Sequence, residues 1–320
     1  MQKYMYDDII FFIRRMCRKG TAGMMKKIAV IGSINMDMTA TAERIPKKGE
    51  TISAQSVAYV PGGKGANQAV AAARLGGDVT MFGCVGSDAF GGELIENLKN
   101  NGIHTDCIDV LPEQSSGLAM IVVAENDNVI TVIPGANQYV TKEYIDRYKQ
   151  EILQADIVLM QNEIPAETIR YAAGLLHEAG KTVIYNPAPA QKADREMVGF
   201  STYLTPNEHE ARIVLDDQES SLEELMTRYD GKLIITLGSK GAAASRDGRI
   251  VTIPARKAKV VDTTGAGDTM NGAFAYALSV GQDFEEALHF ANAAAALSIE
   301  KAGAQTGMPS LEAVKEKLSE

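Results

Sequence analysis

The sequence predicts an α/β fold in which a doubly wound, mostly parallel sheet is flanked by helices and accompanied by a small additional β-sheet. Three observations predict this class. Short apolar runs alternate along the chain with segments of helical length. Polar or glycine-rich segments follow nearly every predicted strand, where ligands bind in open α/β sheets. The 320 residues, 45% of them apolar, suffice for one large domain of this class or two smaller ones.

The elements of the main sheet follow in chain order. Residues 27–32 form a continuous apolar run, as expected of a parallel strand buried on both faces. Similar runs predict further strands, with segments of helical length between them. These strands cover residues 79–83, 157–160, 182–185, 203–204 and 233–236, and the helices cover about 89–100 and 166–179. The apolar run 258–261 also has strand character.

Two stretches depart from this alternation. Residues 51–60 have the composition of a strand, and a Pro-Gly-Gly turn follows them. Residues 118–123 and 129–133 predict a hairpin around Asn126-Asp127. We expect these strands to form a small antiparallel sheet outside the main one, which would suit a lid over a site or a dimer surface.

The first 25 residues differ from the rest of the chain. The apolar run 9–13 is far too short to cross a bilayer, and basic residues follow it instead of preceding it, unlike a signal peptide. Met24 and Met25 stand directly before the first predicted strand, so both are candidate translation starts beside Met1. We interpret residues 1–25 as a leader or a disordered arm, with an amphipathic surface anchor as the less simple alternative, and expect no membrane partner.

Charge and residue usage argue against several classes of protein. The formal net charge of -9 argues against a nucleic-acid partner. The three cysteines (Cys17, Cys84 and Cys107) are widely spaced, which fits a reducing, cytoplasmic location better than a disulfide framework. The four histidines share no motif, so a zinc site or a Ser-His-Asp triad has little support.

The most informative segment is the glycine-rich turn 262–268, Asp-Thr-Thr-Gly-Ala-Gly-Asp, which opens a helix of small residues. Unpaired backbone N–H groups and the positive end of the helix dipole make such a turn an anion site suited to a phosphoryl group. Asp268 falls in the first helical turn beside that site. It can accept the proton of an attacking hydroxyl, or it can merely cap the helix.

A second glycine-rich segment, 61–68, has the sequence Pro-Gly-Gly-Lys-Gly-Ala-Asn-Gln and precedes an alanine-rich helix. Its glycines let the backbone approach a ligand closely, and Lys64 and Asn67 add polar groups at the same place. A plain tight turn is the alternative. Neither glycine segment has the spacing of a Walker A loop or of the dinucleotide fingerprint, which argues against those two classes of nucleotide-binding protein.

Polar residues also follow the other predicted strands. Asn35 and Asp37 are two residues apart, so in extended chain they point the same way and can grip a polyhydroxylated molecule, although an Asx turn uses the same residues. The remaining polar segments are 161–163, 186–190, 205–208 and 236–241. In an open α/β sheet these segments meet at one crevice, although Asn207 and Glu208 also suit the start of a helix.

Together these motifs resemble the ribokinase family of carbohydrate kinases, the phosphofructokinase B type. Segments 62–67 and 262–268 are similar to the two signature regions of that family. Segments 32–37, 186–190, 205–208 and 236–241 are more similar to its ribose-phosphorylating members than to its fructokinase or adenosine kinase members. The resemblance runs from about Lys26 to the C-terminus and implies one α/β kinase domain over 26–320, with lid strands from about 38–60 and 118–133.

The resemblance implies ATP-dependent transfer of a phosphoryl group to the 5-hydroxyl of D-ribose. Asp268 would be the catalytic base, and the N–H groups of Gly265, Ala266 and Gly267 would form the anion hole. Sugar contacts are implied for Asn35, Met36, Asp37, Gly63, Lys64, Gly65, Ala66, Asn67, Glu163 and Asp268. Nucleotide contacts are implied for Asn207, Thr236, Leu237, Gly238, Ser239, Lys240, Gly241, Gly267, Asp268 and Asn292.

The resemblance also implies two ions and a partner. A monovalent cation, usually K⁺, would lie beside the anion hole and would be held mostly by backbone carbonyl groups. The matching positions are Asp262, Thr264, Ser298, Lys301, Gly303 and Gly307. Mg²⁺ would enter with ATP, and the lids of two copies would pair into a homodimer.

Two alternatives stay open. The chain could phosphorylate another sugar or a nucleoside, such as deoxyribose, fructose or adenosine. A nucleoside needs an apolar or aromatic pocket for its base, and the scarcity of aromatic residues in the lid segments favours a free sugar. A non-catalytic sugar or nucleotide sensor is the second alternative, and the intact segment 265–268 argues against it.

Overall fold

The computed structural model describes residues 25–125, 127–192 and 195–320. Its strands are β1 Ile28–Ile31, β2 Asn35–Thr41, β3 Ser56–Gly62, β4 Val79–Gly86, β5 Ile108–Leu111, β6 Gly117–Ala124, β7 Asp127–Ile133, β8 Ile157–Gln161, β9 Thr182–Asn186, β10 Tyr203–Leu204, β11 Ile234–Thr236, β12 Ala242–Arg246 and β13 Arg249–Ile253. The predicted leader or arm lies outside the described residues except for Met25, and so does Asn126 in the predicted hairpin.

The helices lie between and after these strands. They are α1 Lys64–Arg74, α2 Ala89–Asn100, α3 Lys142–Arg147, α4 Lys149–Ile152, α5 Ala166–Glu178, α6 Arg195–Phe200, α7 Glu208–Val214, α8 Leu222–Arg228, α9 Ala266–Ser279, α10 Phe284–Ser298, α11 Ala304–Gly307 and α12 Leu311–Ser319. Short 3₁₀ turns occupy Gly135–Tyr139 and Gly238–Lys240. In the part of the chain that the structure describes, no helix is both long and apolar enough to cross a membrane.

The main sheet has six strands in the order β10-β9-β8-β1-β4-β5, and each pairing in it is parallel. The central strand β1 is buried at every position. Ile28 and Val30 join the apolar core on one face, whereas Ala29 and Ile31 join the core on the other. A continuous apolar strand therefore suits a sheet covered by helices on both faces. The predicted fold class is confirmed.

A three-stranded antiparallel sheet, β11-β12-β13, follows the β10 edge of the main sheet. The strand predicted over 258–261 is wrong, because this segment has no regular secondary structure. Val260 and Val261 are 62% and 55% exposed. The Val261 N–H donates to the carbonyl of Ile299, directly after α10, and not to a neighbouring strand.

The small sheet has four strands in the order β3-β2-β6-β7. The predicted hairpin is confirmed as β6-β7, while the strand predicted over 51–60 begins later, at Ser56, and continues through Pro61 and Gly62. The sheet is not wholly antiparallel, as β2 and β6 pair in parallel. Both strands enter it from the carboxyl edge of the main sheet, after β1 and β5, so they run in the same direction.

Helices α1 and α9 pack closely because both are built from small residues. A Cβ atom on Gly272 of α9 would lie 2.5 Å from the carbonyl oxygen of Gln68 and 2.6 Å from the Cβ of Ala71, both in α1. Only glycine permits this approach. It brings the start of α9, which carries Asp268, against the start of α1.

Candidate active site

The predicted anion turn opens α9. Gly265 is the N-cap in a left-handed conformation with φ 77°, and a Cβ there would lie 2.8 Å from the Cβ of Ala304. Glycine is therefore needed for both conformation and space. The Ala266 N–H donates to the Thr263 carbonyl at 3.2 Å, whereas the N–H groups of Gly265 and Gly267 donate to none of the described residues. Two of the three predicted N–H donors are thus available to an anion.

The Asp268 carboxylate is 7% exposed and is held by α1. Its Oδ2 accepts from Asn67 Nδ2 at 3.0 Å and its Oδ1 accepts from Gln68 Nε2 at 3.1 Å. The cap position of α9 belongs to Gly265, and Asp268 accepts from no backbone N–H of the described chain. The helix-cap alternative for Asp268 is therefore excluded.

Asn67 has one amide hydrogen left for a ligand. One hydrogen of its side-chain NH₂ goes to Asp268, and its Oδ1 accepts from Gln305 Nε2 at 3.0 Å. An amide can donate two hydrogen bonds through its nitrogen. The predicted sugar contact of Asn67 is compatible with this geometry and stays a prediction.

A second carboxylate, Glu163, lies two residues after the end of β8 and is oriented by two donors. Its Oε2 accepts from the Ser33 hydroxyl at 2.5 Å and from the Lys64 N–H at 3.0 Å. The Ser33 hydroxyl in turn accepts from the Gly65 N–H at 3.2 Å. Ser33 was not predicted as a site residue, although it lies in a polar segment directly after β1.

A third carboxylate, Asp37 in β2, completes an acidic group around Lys64. Burial raises the pKa of Asp37 to about 7, and repulsion from Glu163 and Asp268 adds to this effect against the attraction of Lys64. Attraction by Asp268 raises the pKa of Lys64 despite its burial. A Cβ on Gly62 would lie 2.2 Å from Asp37 Oδ2, so glycine leaves the room that this carboxylate occupies.

Two predicted sugar contacts do not face this site. Met36 is fully buried in the apolar core because alternate residues of β2 point to opposite faces. Ala66 is 1% exposed and belongs to the same core. Gly63 and Gly65 instead provide close backbone packing, since added Cβ atoms would lie 2.7 Å and 2.6 Å from the backbone nitrogens of Asn35 and Ser33.

Asn35 is 2% exposed and lines a cavity of about 430 Å³ beside the carboxylate group. Its Oδ1 accepts from Asn137 Nδ2 at 2.7 Å, while its own NH₂ group donates to none of the described residues. Glu163 also lines this cavity, together with apolar residues at the end of the small sheet and in the loop after β8. Asn137 was missed because it lies far from any motif in the sequence.

The predicted nucleotide contacts 207 and 236–241 lie at the β10–β11 edge, whereas Gly267 and Asp268 lie at the start of α9 and Asn292 lies in α10. Asn207 and Thr236 form a parallel bridge there, and Asn207 also caps α7 by accepting from the Glu210 N–H at 2.8 Å. Leu237, Gly238, Ser239 and Lys240 follow Thr236 and lie on the adjoining turn. Gly241 has φ 99°, and Asn292 donates to the Pro254 carbonyl at 2.7 Å, which anchors the irregular segment before the anion turn.

Four predicted cation positions lie on two loops that contact each other, whereas Ser298 ends α10 and Gly307 ends α11. The Asp262 carboxylate accepts from the Thr264 N–H at 2.9 Å and the Gly303 N–H at 2.8 Å. Burial raises the pKa of Asp262, but these hydrogen bonds outweigh burial and hold it below its ordinary value. A Cβ on Gly307 would lie 2.1 Å from the Ser298 carbonyl oxygen. Lys301 lies in the loop between α10 and α11.

The described residues contain no group of three or more His, Cys, Asp or Glu arranged to hold a metal. The cation ligands that the resemblance implies are mostly backbone carbonyl groups. Residues Asp262, Thr264, Ser298, Lys301, Gly303 and Gly307 stay the predicted set.

Comparison with known proteins agrees with this geometry. Residues 25–311 match the model of the pfkB family carbohydrate kinases. Ribokinases of Bacillus subtilis and Lactococcus lactis subsp. lactis are 48% and 46% identical to this chain over 92% of its length and over 100% and 98% of theirs. A structure of Arabidopsis thaliana ribokinase complexed with ribose and ATP superimposes with a TM-score of 0.86 at 33% identity, covering 93% of this chain and 100% of that one. The predicted resemblance is confirmed, and the chain belongs to the pfkB family of carbohydrate kinases.

Proposed function

We propose that this protein transfers the terminal phosphoryl group of ATP to the 5-hydroxyl of D-ribose. The observation that carries the proposal is the position of Asp268: a buried carboxylate, free of any capping role, directly beside a helix N-terminus with available N–H groups. Ribose follows from the similarity to proteins named ribokinase, and from the amide and carboxylate groups of Asn35, Asp37 and Asn67, which suit a polyhydroxylated ligand.

The proposed reaction asks for positioning and charge stabilisation more than for covalent chemistry. Asp268 accepts the hydroxyl proton as the oxygen attacks the phosphorus. The N–H groups of Gly265 and Gly267 stabilise the charge on the transferred group. Asp37, Asn35 and Glu163 hold the other hydroxyls, so the attacking oxygen is oriented toward the anion turn.

Two ions support this reaction. We propose K⁺ at the Asp262 and Gly303 loops, where it would steady the anion turn through Thr264. Mg²⁺ bound to ATP would offset the phosphate charge. The Asp262 carboxylate, which accepts from the N–H groups of Thr264 and Gly303, supports K⁺ because it draws the predicted cation positions together.

The four-stranded sheet is proposed to be the lid. It carries Asp37 on β2 and borders the cavity at Asn35, so its closure would exclude the water that competes with the sugar as nucleophile. The chain is proposed to be a homodimer through this lid, because β7 is exposed along its whole length and is rich in apolar residues. A cytoplasmic location stays a prediction.

Variants at Asp268 test the chemistry. Asp268→Asn keeps the shape of the side chain but cannot take a proton, so kcat is expected to fall about 10²–10⁴-fold. The KM for sugar should stay within a few-fold. Near-normal kcat in this variant would refute the role of Asp268 as base.

A substrate panel tests the specificity. ATP consumption is measured with ribose, deoxyribose, fructose and adenosine, each in K⁺ and in Na⁺. The highest kcat/KM is expected with ribose in K⁺. A higher kcat/KM for any other acceptor would overturn the ribose assignment, and binding without turnover across the panel would instead favour a sensor.

A nucleoside is the second candidate substrate. The cavity of about 430 Å³ that adjoins Asn35 has walls from Val132, Pro134 and Ile164, which could contact a base. Adenosine or inosine turnover above that of ribose would favour this candidate. The lack of an aromatic residue among the residues lining this cavity argues for the free sugar.

A further inference from the structure

The carboxylate of Asp268 accepts a hydrogen bond from Gln68, a side chain to which the proposed reaction assigns no role. Gln68 lies in α1 and is fully buried, and its Nε2 donates to Asp268 Oδ1 at 3.1 Å. The same nitrogen lies 3.2 Å from Asn186 Oδ1, and Gln68 Oε1 accepts from Gln161 Nε2 at 2.7 Å. Both amide hydrogens and the amide oxygen are thus engaged with protein.

Gln68 differs from its neighbour Asn67 because all its hydrogen-bonding groups are already used within the protein. Asn67 keeps an amide hydrogen for a ligand, whereas Gln68 has no hydrogen left to donate and no exposed surface. Gln68 therefore has no free hydrogen-bonding group with which to bind substrate. Its role in the site must be to hold the carboxylate of Asp268.

The direction of each hydrogen bond follows from Asp268. An ionised carboxylate only accepts, so Gln68 must present its NH₂ group to Asp268 and its oxygen to Gln161. Gln161 must then donate. Asn186 presents its oxygen to Gln68 because its NH₂ group donates to the Thr205 carbonyl at 2.9 Å.

The same network returns to the anion turn. The Thr205 hydroxyl donates to Asn271 Oδ1 at 2.6 Å, and Asn271 Nδ2 donates to the Gly267 carbonyl at 2.9 Å. Gln68, Asn186, Thr205 and Asn271 thus link the predicted base to the residue before it through the interior of the protein. Because such a network is buried, each of its hydrogen bonds orients the next.

We infer that Gln68 is a positioning residue that fixes the Asp268 carboxylate, with Gln161 fixing the amide of Gln68. A base takes a proton efficiently only when it is held within hydrogen-bond reach of the attacking hydroxyl. Gln68 has no hydrogen left for a ligand, so its loss should lower kcat and leave the KM for sugar nearly unchanged.

Two variants test this inference, which rests on the proposed function. Gln68→Met has a similar length without the amide. Gln161→Met is milder, because Gln161 Oε1 is buried with no hydrogen-bond partner in the described chain, so the variant removes a single side-chain hydrogen bond, the one to Gln68. The control is Gln282→Met, a partly buried glutamine after α9 whose Oε1 also has no partner there.

Gln68→Met is expected to lower kcat about tenfold or more, with sugar KM within about threefold. Gln161→Met should lower kcat by less, again with little change in KM, and Gln282→Met should leave kcat unchanged. If Gln68→Met does not fold, Gln161→Met decides. A folded variant with an unchanged kcat would overturn the inference.

A substrate-free measurement separates this inference from the proposed function. In ¹⁵N-labelled protein at a single pH, the side-chain NH₂ signals of Gln68, assigned with Gln68→Met, should shift in Asp268→Asn, which removes the anionic acceptor. That result supports the contact even if ribose is not the substrate. Signals that do not respond to Asp268→Asn would refute the inference independently of any turnover.

Discussion

At the scale of the residue, the acidic group around Lys64 lowers the stability of the ligand-free protein. Asp37, Glu163 and Asp268 place three carboxylates near one ammonium group, and the pKa of Asp37 rises to about 7 because it is buried beside the other two. Sugar hydroxyls that donate to Asp37 would favour its ionised form. The group is thus arranged for a ligand rich in donors and is less favourable without one.

Asp37→Asn should stabilise the free protein increasingly as pH rises. In the unfolded chain Asp37 loses its proton near pH 4, whereas the folded protein keeps it up to about pH 7, so its contribution to the free energy of unfolding falls across that window. Asp37→Asn has no carboxyl group that titrates at this position, so its free energy of unfolding does not fall for this reason. Its advantage over the unmodified protein should grow between pH 4 and 7 to roughly 4 kcal/mol and then level off.

Urea denaturation at several pH values measures this difference. Asp106→Asn is the control, because it removes a carboxylate at an exposed position outside the acidic group. A difference for Asp37→Asn that does not change between pH 4 and 7 would contradict the assignment of its pKa.

At the scale of the element, the site depends on how closely α1 and α9 approach. Each helix begins with a glycine-rich turn, and each contributes polar groups from its first turns to the same point. Gly272 sets the distance between them, one turn beyond Asp268. The small residues of both helices therefore serve the active site as well as the core.

Gly272→Ala should both destabilise the protein and slow the reaction. The added methyl group has no room against Gln68 and Ala71, so the helices must separate, at about 1–3 kcal/mol. Separation would also lengthen the hydrogen bonds from α1 to Asp268 and lower kcat. Gly92→Ala in α2 is the matched control, because a Cβ there meets no atom within 4 Å.

The control should leave kcat unchanged and should be neutral or stabilise by up to about 1 kcal/mol, since alanine suits a helix better than glycine. Thermal unfolding and steady-state kinetics measure both effects. Equal stability of the two variants would show that α1 and α9 can absorb a methyl group.

At the scale of the whole molecule, the small sheet exposes several large apolar side chains. Val57, Met120, Val129 and Ile130 are 56%, 43%, 47% and 53% exposed on three of its four strands. An exposed, apolar edge strand pairs or packs with another chain unless something covers it. A second copy of this chain is the proposed cover.

Val129→Lys combined with Ile130→Lys places a charge on each face of β7 and should convert a dimer to a monomer, because the lysines would lose their hydration in an interface. Val280→Lys is the control at an apolar side chain that is 44% exposed after α9, outside the small sheet. Sedimentation velocity distinguishes the two masses. A double variant that sediments like the unmodified protein would rule out this interface.

Local patterns in the sequence were sufficient for the fold class and for the position of the anion turn. Apolar runs mark strands such as β1 and β8 wherever the sheet is buried on both faces, and glycine is required at Gly265 by a left-handed conformation. The apolar run 258–261 shows the limit of this reasoning. This segment has the composition of a strand but does not form one, because no neighbouring strand is available to pair with it.

The sequence by itself therefore determined most strands of the main sheet, where an anion could bind, and which carboxylate stands beside it, because these depend on neighbours along the chain. Only the tertiary structure decided which side chains hold the Asp268 carboxylate. Its partner Asn67 is 201 positions away, and Gln68, Asn186 and Asn271 join the network only after α1, β9 and α9 have packed together. The burial of Asp268, the repulsion between neighbouring carboxylates and the orientation of the Gln68 amide all arise from that packing. No local sequence pattern could therefore predict them.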